Sequence, residues 1–272
     1  MLAVMSDTAM SRQTDVVQDG RPGAPALLLI QNAAAPIDLW DEVVPSLAGA
    51  HHVIRVDLAG HGRSGPAAGY DVAAQASRAG AVLDRLGVNR VTAIGHSSGG
   101  MVATALAEQR PGTVTALALI NTGPSPEAEI PDPPLARLLN VPLAGPLLWR
   151  LKTPATIRSA ARTAFTRPVD VPDALVAHTQ SMTYRSFTAT MRGYWDYISQ
   201  QSIPDRLAAL GLPVLVIFGA DDKRWRSSSA AGYRDVPGAR VEMLAGVGHT
   251  PIIEDPQTTA TLLLDFAAAQ SS

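Results

Sequence analysis

The chain has 272 residues, 46% of them hydrophobic, enough for one large α/β domain that carries an insertion or for two small domains. Its 22 Lys+Arg against 24 Asp+Glu leave a net charge of −2, which implies neither a nucleic-acid footprint nor a polybasic membrane patch. The absence of cysteine excludes disulfides, thiolate catalysis and Cys-bound metals.

The first residues, Met1–Asp7, have no basic region and too short an apolar run for a signal peptide. No later run approaches the ~18 apolar residues of a membrane span, so a soluble cytoplasmic protein is expected. One or two weak antiparallel edge strands are expected within the first ~25 residues. Short apolar runs then alternate with helical patterns, the rhythm of βαβ units and a mostly parallel sheet. The strands are expected at Ala26–Ile30, Val53–Val56, Val91–Ile94, Val114–Ile120, Pro213–Phe218 and Val241–Leu244. Helices are expected at Val72–Leu86, closed by Gly87, and at Gly99–Arg110, closed by Pro111 and Gly112, then at Ser227–Tyr233 and Thr258–Ala269.

Between the third apolar run and its helix lies a G-x-S-x-G pattern, Gly95–Gly99, centred on Ser97. Strand, sharp turn and helix together form the context in which this pattern presents a nucleophile. The following helix begins at the serine, so its free N–H groups and positive dipole end face any negative charge that develops there.

The βα rhythm breaks from Gly123 to about Arg206. This stretch opens rich in proline and then becomes helical around Thr156–Phe165 and Asp173–Ile198. An insertion of this length with its own helices reads as a lid. The expected division is therefore a core domain, residues 1–122 and 207–272, and a helical cap, residues 123–206. Seven of the chain's aromatics fall in the cap: Trp149, Phe165, Tyr184, Phe187, Tyr194, Trp195 and Tyr197. One reading makes them the apolar wall of a substrate pocket, with Trp149, Tyr194 and Trp195 touching substrate. The other makes them the lid's own small core.

Across nearly the whole chain these motifs resemble the α/β-hydrolase superfamily, in particular serine esterases and lactonases with a helical lid. Four motifs match in order. They are the loop Gln31–Ala34 after the first core strand, the turn Asp57–Ser64 of the form D-x-x-G-x-G-x-S, the elbow Gly95–Gly99, and a final pair, Phe218–Asp222 with Gly246–Pro251. The resemblance implies an α/β-hydrolase fold, a mostly parallel central sheet flanked by helices, with the cap inserted after the sixth strand. It also implies the chain order Ser…Asp…His for a catalytic triad.

Each member has a chemical reason. A serine hydroxyl is a poor nucleophile until a base removes its proton, and the base needs a buried carboxylate to fix its tautomer. His249, in a glycine-rich loop after a strand, is the expected base. Of the other histidines, His51 and His52 are expected at the surface, His61 as a loop brace, and His96 turned away from the nucleophile; His178, in the lid, reads as a surface residue ahead of a substrate contact. The acid lies between two neighbours, and the family spacing of three residues after Gly219 favours Asp222 over Asp221. The resemblance places the oxyanion donors at the backbone N–H groups of Ala33 and Ser98. Many relatives carry His-Gly where this chain has Gln31 and Asn32, so Asn32 is either a substrate contact or a brace for its loop.

The leading expectation is a hydrolase of a carboxylic ester or lactone of a small, apolar or cyclic molecule, acting through Ser97, His249 and Asp222 and an acyl-enzyme. The same triad serves C–C bond hydrolysis, amide hydrolysis, perhydrolysis and acyl transfer, and a low-turnover ligand-binding member of the fold is the alternative from another class. A small-molecule substrate is the expected partner, with no nucleic acid, membrane, metal or cofactor. Monomer and homodimer are both open.

Overall fold

The computed structural model describes residues 14–270. Seven strands form one sheet: β1 (Val16–Asp19), β2 (Ala26–Ile30), β3 (His52–Val56), β4 (Val91–His96), β5 (Val114–Ile120), β6 (Val214–Gly219) and β7 (Ala239–Leu244). Their spatial order is β1-β3-β2-β4-β5-β6-β7, and every pairing is parallel except β1 with β3. The segment ahead of β2 thus contributes one edge strand among the described residues. The long insertion leaves after β5, the fifth strand in chain order; a further strand expected near the N-terminus would fall within residues 1–13, outside the described residues.

Both faces of the sheet are covered, so the central strands read as unbroken apolar runs. Alternate side chains still divide between two cores. Leu28 and Ile30 of β2, Leu117 and Leu119 of β5, and Val214, Val216 and Phe218 of β6 pack with α2 (Val72–Leu86) and α3 (Ser98–Gln109). Leu27, Leu29, Ala116, Ala118, Ile120, Leu215 and Ile217 face the opposite layer, built by Trp40, α1 (Val44–Ala48) and the C-terminal helix Pro256–Ala269. Asp71 caps α2 by accepting the Ala74 N–H at 2.8 Å, and Gly87 closes that helix at φ 68°.

The insertion holds α4 (Pro134–Arg137), α5 (Ala144–Arg150), α6 (Pro154–Arg162), α7 (Asp173–Ser181) and α8 (Tyr184–Gln200), followed by α9 (Ile203–Leu210). The helix expected to run unbroken over Asp173–Ile198 is interrupted at Met182, which is extended at ψ 136°, and Thr183 starts α8 by accepting the Ser186 N–H at 3.0 Å. A capping threonine competes well with helix continuation. The region expected as the helix Ser227–Tyr233 is a 3-10 helix over Ser227–Asp235, and α10 (Pro251–Glu254) and α11 (Pro256–Ala269) close the chain. No helix among the described residues is long and apolar enough to cross a membrane.

Candidate active site

Sheet register assembles the site. Ile30 lies opposite Gly95, His96 opposite Ile120, and Gly219 opposite Leu244. The loops that follow β2, β4, β5, β6 and β7 therefore open side by side at the carboxyl ends of the strands. The order reverses between β2 and β4, where open α/β sheets form their binding crevice.

The turn between β4 and α3 is sharp. Ser97 sits at φ 53° and ψ −122°, a conformation costly for a residue with a side chain. It is held there by its N–H to the Ile120 carbonyl at 2.7 Å and by its own carbonyl, which accepts the Thr122 hydroxyl at 2.8 Å. A Cβ at Gly95 would strike the Gly99 and Gly100 backbone, and one at Gly99 would strike the Ile30 and Gln31 carbonyls. The strain on one serine is thus maintained by two places where only glycine fits.

Ser97 Oγ lies 3.0 Å from His249 Nε2, and His249 Nδ1 lies 3.0 and 3.1 Å from the two oxygens of Asp222. Ser97 is half-buried, while His249 and Asp222 are buried. Asp222 is the member of the acid pair that meets the histidine; Asp221 is exposed, and its carbonyl accepts the Thr166 hydroxyl at 3.0 Å. Burial works to raise the Asp222 pKa. The His249 ring and donors from Arg224 N, Trp225 N and Asn121 Nδ2 outweigh it and hold the carboxylate below its ordinary range.

Two residues around this chain were not singled out from sequence. Asn121, fully buried at φ 46°, donates to Asp222 Oδ2 at 2.6 Å and to the Gly248 carbonyl at 3.2 Å, and accepts the Gly219 N–H at 3.2 Å. It ties three strand-end loops together. Its signal was a polar residue ending an apolar strand, of a type that tolerates positive φ.

Glu254 is the second. Its buried carboxylate accepts four backbone N–H groups: Thr166 at 2.7 Å, Arg167 at 2.9 Å, Gly248 at 3.0 Å and Thr250 at 3.1 Å. The last two flank His249, and the first two belong to the insertion. A carboxylate directly following the apolar Pro251–Ile253 was the available signal. Glu254→Gln leaves one acceptor oxygen for four donors, so a loss of about 2–4 kcal/mol is expected. That corresponds to a fall in melting temperature of roughly 5–10 °C. An unchanged melting temperature would show that these N–H groups find other partners.

The remaining histidines are structural. His96 Nε2 donates to the His249 carbonyl at 2.8 Å and Nδ1 accepts from Asn32 Nδ2 at 3.1 Å; burial, foremost, lowers its pKa to about 3 and keeps the ring neutral. His61 spans the Ala59 and Ala33 carbonyls at 3.0 and 2.8 Å. His51 and His52, expected at the surface, are both buried, and His52 Nε2 meets Gln18 Oε1 at 2.9 Å on β1. His178, also expected at the surface, is buried, stacks on His61 at 5.7 Å and accepts the Gly62 N–H at 3.0 Å. For His52 and His178 the partner of the ring is a segment far away in sequence.

The other anticipated contacts divide. Asn32 is committed to its own loop, accepting the Ala34 N–H at 2.9 Å while bonding His96. The Ala33 N–H donates to Ser98 Oγ at 2.9 Å. Trp149 stacks on Phe187 at 4.6 Å, bonds the Met182 carbonyl at 2.8 Å and carries Lys152 over its face, all within the insertion. Trp195 leans on Trp225 at 5.9 Å, and Tyr194 is buried in the main core. Two surface clefts, of about 400 Å³ beside Pro124, Ser202 and Arg226 and of about 970 Å³ beside Arg158, Arg162 and Asp173, contain none of these residues. Among the described residues no cluster of His, Asp or Glu could hold a metal ion.

A family model described as the alpha/beta hydrolase fold matches residues 25–256, and the chain belongs to that family of hydrolases. It is 30% identical, over 91% of its length and 93% of the relative's, to a protein of Variovorax paradoxus provisionally named carbamate hydrolase RutD. It is 28% identical to the monoacylglycerol lipase abhd6-A of Xenopus laevis, over 93% of this chain and 78% of that one. A solved bacterial membrane phospholipase A superposes with a TM-score of 0.76 at 26% identity, covering 95% of this chain and 83% of that one.

Proposed function

We propose that the protein is a serine hydrolase of a carboxylic ester or lactone, with Ser97 as nucleophile, His249 as general base and acid, and Asp222 as the carboxylate that orients the base. The observation that carries this reading is the continuous line from Ser97 Oγ through both ring nitrogens of His249 to Asp222, at 3.0 Å for each link. His249 takes the serine proton as Oγ attacks the carbonyl and returns it to the leaving alcohol. Water then repeats the sequence on the acyl-enzyme. The Asp222 carboxylate keeps the proton on Nδ1, leaving Nε2 free to accept.

The oxyanion donors in this reading are the Ser98 N–H, at the first position of α3 where the helix itself offers no acceptor, and the Ala33 N–H. The insertion acts as a cap. Its residues 163–167 meet the loops of Asp222 and His249, Thr179 reaches the Ala34 carbonyl at 3.4 Å, and α8 packs on α2 and α3. Two relatives named as lipases agree with ester chemistry, and RutD adds carbamates to the esters and lactones worth testing.

The commitment of the Ala33 N–H to Ser98 favours one second reading, a ligand-binding protein of low turnover. Stopped-flow assays on p-nitrophenyl esters of graded acyl length, with lactones and aryl carbamates alongside, separate the two. A burst of p-nitrophenol followed by steady turnover is the expected outcome. Stoichiometric binding with no turnover of any ester, lactone or carbamate would leave the binding reading standing.

A further inference from the structure

The large apolar side chains left exposed among the described residues are not scattered. Five of the seven, Leu138, Val141, Leu143, Leu147 and Leu151, fall within one short stretch of the insertion. Singly exposed leucines are ordinary, but a group of them marks a surface that meets something other than water.

Helix α5 shows how this face is built. Its inner side is fixed by packing. Gly145 lies against the Leu139 backbone and the Tyr184 hydroxyl, and that hydroxyl donates to the Leu139 carbonyl at 2.7 Å. Trp149 stacks on Phe187 of α8 and donates to the Met182 carbonyl at 2.8 Å. The outer side therefore has to carry Leu147, Arg150 and Leu151, one turn apart, and the two leucines are 58% and 64% exposed. Leu143 precedes the helix at φ 69°, a costly conformation for a leucine, with its side chain 88% exposed. A helix apolar on both sides is expected to be covered on both. Among the described residues α5 is covered on one.

The charge around this face has a single sign. Residues 133–169 hold six Lys or Arg and no Asp or Glu, a local excess that the whole-chain balance of −2 conceals. Arg158 and Arg167 are paired, with Asp173 and Asp255. Arg137, next to Leu138, and Arg150 are exposed and meet no carboxylate at ion-pair distance among the described residues. Two copies joined through this face would bring like charges together. Protein interfaces centre on aromatic anchors, whereas the exposed apolar residues here are all aliphatic. Leucines beside unpaired arginines match a layer with a negative surface and a hydrocarbon interior.

We propose that the outer face of α5, with the chain from Leu138 that leads into it, docks this protein on the surface of an anionic phospholipid bilayer. Leu143, Leu147 and Leu151 enter the boundary between headgroups and acyl chains, while Arg137 and Arg150 stay level with the lipid phosphates. The insertion is then the side of the protein that meets lipid. Docking uses no residue of the triad, so it stands or falls apart from the hydrolase reading.

Flotation of the full chain with vesicles tests this, using phosphatidylcholine alone and an equal mixture of phosphatidylcholine and phosphatidylglycerol. Wild-type protein is expected to float with the mixed vesicles, much less with the neutral ones, and to be released in part by high salt. Leu147→Gln with Leu151→Gln is expected to weaken binding to the mixed vesicles on the order of 10²-fold, from two leucines no longer buried. Arg150→Gln is expected to weaken it about fivefold at low salt. Both variants should keep the wild-type melting temperature and the wild-type turnover of a soluble p-nitrophenyl ester, since the altered side chains face outward. Wild-type protein that stays unbound to mixed vesicles would overturn the proposal, as would undiminished binding by the leucine variant. Equal binding to neutral and mixed vesicles would overturn the role of the arginines and the choice of an anionic surface. A dimer seen by light scattering that the leucine variant abolishes, without vesicle binding, would overturn it in favour of a second copy of this chain.

Discussion

Ser97→Ala is expected to abolish ester hydrolysis, with a loss on the order of 10⁶ in kcat, while the protein stays folded. The size follows from what is removed. His249 Nε2 faces no other hydroxyl in the hydrogen-bonded line, and the ring would be left holding a proton position with nothing to activate. The fold should be unaffected, because the bonds that hold the elbow come from the Ser97 backbone, through Ile120 and Thr122. A fluorophosphonate should label wild-type protein at Ser97 and leave the variant unlabelled. Ser98 is a second hydroxyl one residue away, but its oxygen is engaged with the Ala33 N–H. Labelling mapped to Ser98, or undiminished turnover by the alanine variant, would refute the assignment.

Asp222→Asn is expected to lower kcat about 10⁴-fold, and Asp221→Asn to have little effect. The surroundings of position 222 make the reason specific. Arg224 N and Trp225 N donate to one oxygen and Asn121 Nδ2 to the other. An amide would give its oxygen to the two N–H groups and turn its NH2 toward His249 and Asn121. His249 Nδ1 would then have to accept, which puts the ring proton on Nε2, facing the serine it should deprotonate. The exposed Asp221 carboxylate has no such role.

The same substitution bears on acid stability. The folded pKa of Asp222 is depressed despite the opposing effect of burial, so the carboxylate contributes stability that is present above the unfolded value of about 3.9 and lost as pH falls through the folded value. The asparagine variant should lack this acid-side component. Chemical denaturation at pH 7 and at pH 3 measures it. Parallel losses in the two proteins would remove Asp222 from that account.

Much of the frame was legible locally. Apolar runs of strand length, helix stops at Gly87 and Pro111, and the G-x-S-x-G turn at Ser97 each depend on ten or fewer consecutive residues, where periodicity and backbone preference decide the outcome. The position three residues beyond Gly219 pointed to Asp222 through family spacing, and that carboxylate is the one that faces His249.

Other features depended on segments remote in sequence. Asn121 meets Asp222 across 101 positions, and Glu254 reaches Thr166 across 88. Sheet register and the return of the insertion set those pairings, and no local pattern carries either. The same cause buried His178 against His61, where a helical position alone read as surface. It also turned Trp149 toward Phe187 and Tyr184 within the insertion.

By itself, the sequence determined that a strained serine would stand between a strand and a helix, with an acidic loop and a histidine loop following in order. Only the tertiary structure decided which polar groups hold those three in line and that the Ala33 N–H is spent on Ser98. Turn chemistry is a property of neighbouring residues. Hydrogen-bond partners in a buried site are chosen by which chain segments the packed sheet brings within 3 Å of each other.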